Sequence, residues 1–149
     1  MDSDPRDSKS AMLCAEWEGV MVQTIVVVED EPEVNDLVRD VLEMEGYRVI
    51  AVQHPHALEA QLADAEPDLF LLDIMLPGIS GIELAERLRG EGYAGTPMVA
   101  MSASRLMSNL ASGSGVFADA FDKPFEIDDL LSCVAKHVRQ NADPGAPAL

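Results

Sequence analysis

The sequence predicts an α/β fold, an open doubly wound parallel sheet with helices on both faces, and three observations carry that prediction. Short apolar runs alternate five times with stretches of helical periodicity, the connections between them are short, and each run stops abruptly at polar, Gly or Pro residues. Right-handed crossovers would then bring the carboxyl ends of the strands to one edge, where ligands bind in sheets of this kind. A chain of 149 residues suits one domain that buries about 68 to 70% of the surface its unfolded form exposes.

Residues 1–22 read as a disordered or weakly helical extension. The first ten are charged and Ser-rich, whereas Ala11, Met12, Leu13, Ala15 and Trp17 would suit a short amphipathic helix. Met21 is a candidate true start. The domain itself is expected over 23–140. Ile25–Val28 is a β-branched strand ending in Glu29-Asp30-Glu31-Pro32, with Pro suited to the first turn of a helix. That helix carries Val34, Leu37, Val38, Val41 and Leu42 toward the core and ends near Gly46, an expected left-handed cap. Tyr47–Val52 is a second strand whose interleaved polar residues place it at an edge. Pro55 opens a second helix with Leu58 and Leu62, and Pro67 forbids its continuation.

Asp68–Leu72 is too short for a helix and too uniformly apolar for a strand with one wet face, so it is expected to be central and covered on both sides. It delivers Asp73 into Ile74-Met75-Leu76-Pro77-Gly78, at the strand's carboxyl end and exposed in a turn. Ser80 and Glu83 form a capping-box pattern for a third helix with Ile82, Leu84, Ala85 and Leu88 inward. Pro97–Ser102 is a fourth strand. Ser104–Ser112 follows a helical pattern, but its Ser and Asn residues and the glycines after it make it poor by propensity, and it is expected to be the most mobile segment. Ala118–Asp122 is a fifth strand, Lys123-Pro124 turns the chain, and Ile127, Leu130, Leu131, Val134, Ala135 and Val138 mark a last helix. Residues 141–149 are expected to form a flexible tail.

A formal net charge of −17 argues against direct nucleic-acid binding, which rests on neutralising phosphates with Lys and Arg. No apolar run is long enough to insert in a membrane, and the acidic amino terminus lacks a basic-then-apolar signal. Cys14 and Cys133 are far apart and unpatterned, which suits a reducing cytoplasm; Cys133 is expected in the core rather than as a reactive thiol. His54, His56 and His137 lie away from the crevice residues.

Glu29 and Asp30 end the first strand, Asp73 the third, Ser102 the fourth, and Lys123 the fifth. Singly, Asp73 is either a helix cap or a chemical group, and the others have equally bland readings. All of them on neighbouring strand ends are hard to explain as independent caps. Three carboxylates in one crevice repel unless a cation neutralises them, and Mg²⁺, which prefers oxygen ligands, is the natural choice. With no His or Cys in the cluster, zinc is not expected there. This set suits phosphoryl transfer: Asp73 as nucleophile forming an acyl phosphate, Ser102 donating to one phosphoryl oxygen, and Lys123 neutralising another. In the empty state Lys123 would pair with Asp73.

Val28-Glu29-Asp30-Glu31-Pro32, Leu72-Asp73-Ile74-Met75-Leu76-Pro77-Gly78, Met101-Ser102-Ala103 and Lys123-Pro124-Phe125 together resemble the receiver domain of bacterial two-component response regulators, over residues 24 to 140. The resemblance implies a flavodoxin-like (βα)5 sheet in the order 2-1-3-4-5. It implies phosphorylation of Asp73 by a histidine kinase or histidine phosphotransfer protein, with Mg²⁺ held by Asp30, Asp73, the backbone carbonyl of Met75 and, directly or through water, Glu29. It also implies a cis Lys123–Pro124 bond. Glu29 stands where many members have Asp. The position three before the lysine, usually an aromatic switch, is Ala120; either Phe121 fills that role after loss of one residue, or there is no aromatic rotor. The expected activity is that of a stand-alone receiver without turnover of external substrates, acting through a downstream protein target, as a monomer or a phosphorylation-dependent dimer. The alternatives are a phosphorylation-independent receiver-like scaffold and a haloacid-dehalogenase-like phosphatase; the latter would need a second aspartate where Met75 stands.

Overall fold

A computed structural model describes residues 22–62 and 65–138. The expectations for the amino-terminal extension to Met21, and for the tail over 141–149, lie outside the described residues. Strands Thr24–Val28 (β1), Arg48–Val52 (β2), Leu69–Asp73 (β3), Met98–Ser102 (β4) and Asp119–Asp122 (β5) form a parallel sheet in the order β2-β1-β3-β4-β5. The helices are Pro32–Met44 (α1), Leu58–Leu62 (α2, continuing a 3₁₀ turn at Pro55–Ala57), Gly81–Leu88 (α3), Arg105–Gly113 (α4) and Ile127–His137 (α5). This is the flavodoxin-like (βα)5 arrangement, with β3 in the middle and β2 at an edge, as the apolar and mixed runs predict. Among the described residues no helix is long and apolar enough to cross a membrane.

The pleat explains the two cores. Successive strand side chains point to opposite faces, so Val26, Val28, Phe70, Leu72 and Met98 pack with Leu58, Leu62, Leu84 and Leu88 of α2 and α3. Ile25, Val27, Leu69, Leu71, Val99 and Met101 pack on the other side with Val38 and Leu42 of α1 and Leu130 and Val134 of α5. Each such side chain, fully withdrawn from water, contributes roughly 1.5–3 kcal/mol. Together they hold β1, β3 and β4 rigidly, and with them the residues that follow.

Two expectations are corrected here. Leu37 is 45% exposed, and the buried stripe of α1 is instead Asn35, Val38 and Leu42. One residue turns a helix by about 100°, so Leu37 points well away from the direction that buries Val38. Asp73, expected to be exposed in a turn, is 3% exposed. It is the last residue of β3, still paired with Met101, and α3 begins directly against it. A Cβ at Gly81 would overlap the Asp73 carbonyl oxygen and the Ile74 Cα, so only glycine allows this approach, and the Gly81 N–H donates to the Ile74 carbonyl at 2.8 Å.

Candidate functional site

Glu29, Asp30, Asp73, Ser102 and Lys123 each sit at, or one to two residues beyond, the carboxyl end of a strand, and the sheet order gathers the charged ones. One oxygen from each of Glu29, Asp30 and Asp73 lies within 4.8 Å of the others. The Asp73 carboxylate is held on both sides: the Met75 N–H donates to Oδ1 at 2.9 Å, and Lys123 Nζ donates to Oδ2 at 3.1 Å. Lys123 reaches the site from beyond β5, after which the Lys123–Pro124 peptide is cis.

Glu29 is the most constrained of the acids. It is fully buried, and its Oε2 accepts the Glu31 N–H at 3.0 Å. Lys123 Nζ approaches Oε1 to 2.6 Å, a close ion pair whose angle is poor for a hydrogen bond, so this buried oxygen is incompletely satisfied. Burial pushes the Glu29 carboxyl up to about 7; Lys123 and the Glu31 N–H restrain the rise, and the charge of Asp73 adds to it. Burial works against the Lys123 ammonium, but its hydrogen bonds and charge pairing with Glu29 and Asp73 prevail and raise its pKa. A buried, incompletely satisfied carboxylate oxygen beside two further carboxylates is an all-oxygen donor set that fits Mg²⁺.

Ser102 is buried, and its hydroxyl is engaged away from Asp73: it accepts the Ser104 N–H at 3.0 Å and donates to the Ser104 carbonyl at 3.2 Å. Ser104 in turn caps α4 by accepting the Met107 N–H at 3.3 Å. The strand-end hydroxyl is thus connected to the start of α4. That helix is also tied to the end of β5, where Ser108 Oγ donates to Asp122 Oδ1 at 2.6 Å and Arg105 Nε meets Oδ2 at 3.0 Å.

The ladder between β4 and β5 runs without interruption, Ala100 to Ala120, Met101 to Phe121 and Ser102 to Asp122. Ala120 faces the cluster of Ile74, Ala100 and Ala111, beside Met107 and Phe117. Phe121 faces the opposite side, with its ring edge-on to Phe125 at 5.2 Å. Phe121 therefore does not take the aromatic switch position, and the side of β5 toward α4 carries Ala120 there.

Sequence reasoning missed Asn35. Buried on α1, its Nδ2 donates to the carbonyls of Glu29 at 3.0 Å and Val52 at 3.1 Å, tying the ends of β1 and β2 together beneath the acids. Its spacing of three and seven from Val38 and Leu42 was the available signal. Also missed was a group at the opposite end of β5, where His137 Nε2 lies 3.0 Å and Cys133 Sγ 3.9 Å from Asp119 Oδ2. Burial, reinforced by Asp119, pushes the Cys133 thiol up to about 11.

Comparison with known proteins finds relatives in both sequence and fold. A family model described as the response regulator receiver domain covers residues 25–135. The phosphate regulon transcriptional regulatory protein PhoB of Pseudomonas aeruginosa is 38% identical over 125 residues, 83% of this chain and 54% of that protein. The DNA-binding response regulator MtrA of Mycolicibacterium smegmatis is 32% identical over 130 residues, 87% of this chain and 56% of that one. The chain thus spans about half the length of the curated relatives it matches. The solved structure of the response regulator protein TrrA from Thermotoga maritima, in complex with Mg²⁺-BeF, is similar with a TM-score of 0.69 at 29% identity, covering 78% of this chain and all of that one.

Proposed function

Because the chain belongs to the response regulator receiver family, for which phosphorylation and Mg²⁺ binding are characteristic, we propose that Asp73 accepts a phosphoryl group from a histidine kinase or histidine phosphotransfer protein. The signal then passes on through altered binding of a downstream protein. The observation that supports this reading is the Asp73 carboxylate at the end of β3, held by the Met75 N–H and Lys123 beside Glu29 and Asp30.

In the transfer, a carboxylate oxygen of Asp73 attacks the phosphorus of the donor's phosphohistidine. The P–N bond breaks, and the imidazole nitrogen keeps the bonding pair and takes up a proton, leaving an acyl phosphate on Asp73. Asp30, Asp73, the Met75 carbonyl and, directly or through water, Glu29 would hold Mg²⁺, which would supply positive charge against the phosphoryl oxygens. Lys123 exchanges its pairing with Asp73 for a phosphoryl oxygen. Ser102 gives up its contacts with Ser104 to donate to another, which draws on the cap of α4. That helix and β5 are joined through Ser108, Arg105 and Asp122, so the change reaches the outer surface of α4 without an aromatic rotor. Hydrolysis of the acyl phosphate resets the domain, with no external substrate turned over.

The hollow formed by Val34, Leu37, Ala103, Pro124 and Phe125 lies next to Lys123. It offers a protein donor an apolar footing beside Asp73. The proposed setting is the cytoplasm, with protein partners rather than nucleic acid contacting this domain. Incubation with radiolabelled acetyl phosphate and Mg²⁺ tests the reading: the wild type should be labelled and Asp73→Asn spared, whereas equal labelling of the two refutes the assignment.

A further inference from the structure

Asp119, Cys133 and His137 form a second convergence of ligating groups, outside the Asp73 site. Cys133 and His137 are four residues apart on α5 and so share one face of the helix; Asp119 opens β5 beneath them. The three ligand atoms all lie within 4.8 Å of one another. We propose that this sulfur, nitrogen and oxygen set binds a borderline divalent transition metal, Zn²⁺ in particular, with a solvent molecule at the fourth position.

The spacing supports it. Zinc bonds of about 2.0–2.3 Å in tetrahedral geometry separate the N and O ligands by roughly 3.4 Å and the S and O ligands by roughly 3.6 Å. The observed separations are 3.0 Å for His137 Nε2 to Asp119 Oδ2 and 3.9 Å for Cys133 Sγ to the same oxygen, so small side-chain adjustments suffice. Asp119 is aimed by the Ala120 N–H, which donates to Oδ1 at 2.8 Å and leaves Oδ2 turned toward the pair. Such outer support orients ligands in metal sites. All three residues are only partly buried, so an ion has access from solvent. Binding releases the thiol proton to solvent as the thiolate meets the metal. The Asp73 cluster offers oxygen alone and suits Mg²⁺, so the two sites select different ions. They are also apart: four residues of extended chain from Asp119 to Lys123 span about 13 Å.

Cobalt titration of the metal-stripped full chain in excess Mg²⁺ provides the test. A thiolate-to-cobalt charge-transfer band should rise to one equivalent and be displaced by Zn²⁺. It should persist in Cys14→Ser and vanish in Cys133→Ser, while His137→Gln and Asp119→Asn should weaken binding at least about tenfold. Absence of the band, or its survival in Cys133→Ser, leaves only an Asp119–His137 side-chain contact and overturns the proposal. Should Cys133→Ser fail to fold, iodoacetamide labelling of the unsubstituted chain, mapped by mass, reads the same question: Zn²⁺ should slow alkylation of Cys133 at least about tenfold, and an unchanged rate overturns the site.

Discussion

Replacing Glu29 by Gln sets two effects against each other. In the metal-free protein at pH 8, the wild type carries a buried carboxylate that burial has pushed up to about 7 from an ordinary 4.5. A carboxyl raised in the folded state binds more protons there than in the unfolded chain, so stability falls as pH climbs through that interval and stays low above it. At about 1.4 kcal/mol per unit the full interval amounts to roughly 3 kcal/mol. Gln resembles the protonated acid and escapes that cost, but it gives up the ionic contact with Lys123. Removing one member of a buried pair is expensive when the other is left alone; here Lys123 keeps Asp73 at 3.1 Å. Glu29→Gln is therefore expected to stabilise the protein by about 1–3 kcal/mol in urea unfolding with EDTA near pH 8, and by less than about 0.5 kcal/mol near pH 4.5. Saturating Mg²⁺ should stabilise the wild type and do much less for the variant. A variant less stable than wild type at pH 8 in EDTA would refute the reasoning, showing that the Lys123 contact outweighs the burial of charge.

Gly81→Ala should cost about 1–3 kcal/mol in urea unfolding, since its methyl group meets the backbone of Asp73 and Ile74. Gly95→Ala, with nothing within 4 Å, serves as the comparison and should stay within about 0.5 kcal/mol. Leu37→Glu, on an exposed position beside the apolar hollow, should slow phosphotransfer from a protein donor at least about tenfold while leaving labelling by acetyl phosphate unchanged; equal slowing with both donors would place its effect on the fold. Burial would raise the Asp119 carboxyl, but the Ala120 N–H and His137 outweigh it and hold it below its ordinary 3.8. Its stabilisation is present above that value and lost as pH falls through the lower folded one. Because Asp119 is well exposed, Asp119→Asn should remove less than about 1 kcal/mol, seen as a shallower acid limb in unfolding below about pH 4.

The order and type of the elements were legible because each depends on neighbours in sequence. Pro32 and Pro55 open helices, the Ser80–Glu83 capping box forms as its spacing predicts, and the apolar run before Asp73 lies at the centre of the sheet. Gathering of the charged strand-end residues was legible too, because right-handed crossovers put the carboxyl ends at one edge and the family resemblance implied the strand order. What escaped depends on distance across the fold. The burial of Asp73 comes from Gly81 and Lys123, the latter fifty residues away in sequence. Phe121 could be placed only once the β4–β5 register fixed which face each residue takes. The spacing of four between Cys133 and His137 was visible, but Asp119 joins them across 14 and 18 residues, which no local pattern announces. Asn35 was in reach: a polar residue in phase with Val38 and Leu42 has to find partners where it lands.

With Asp73 as phosphoacceptor, the phosphoryl group resides on that residue and nowhere else. Borohydride reduction of the phosphorylated protein, followed by peptide mass mapping, tests it most directly, because reduction converts an aspartyl phosphate to homoserine. Homoserine is expected at position 73 alone, appearing only when Mg²⁺ was present during phosphorylation. Homoserine at another acidic position, or an acid-stable phosphate on Ser102, would contradict it.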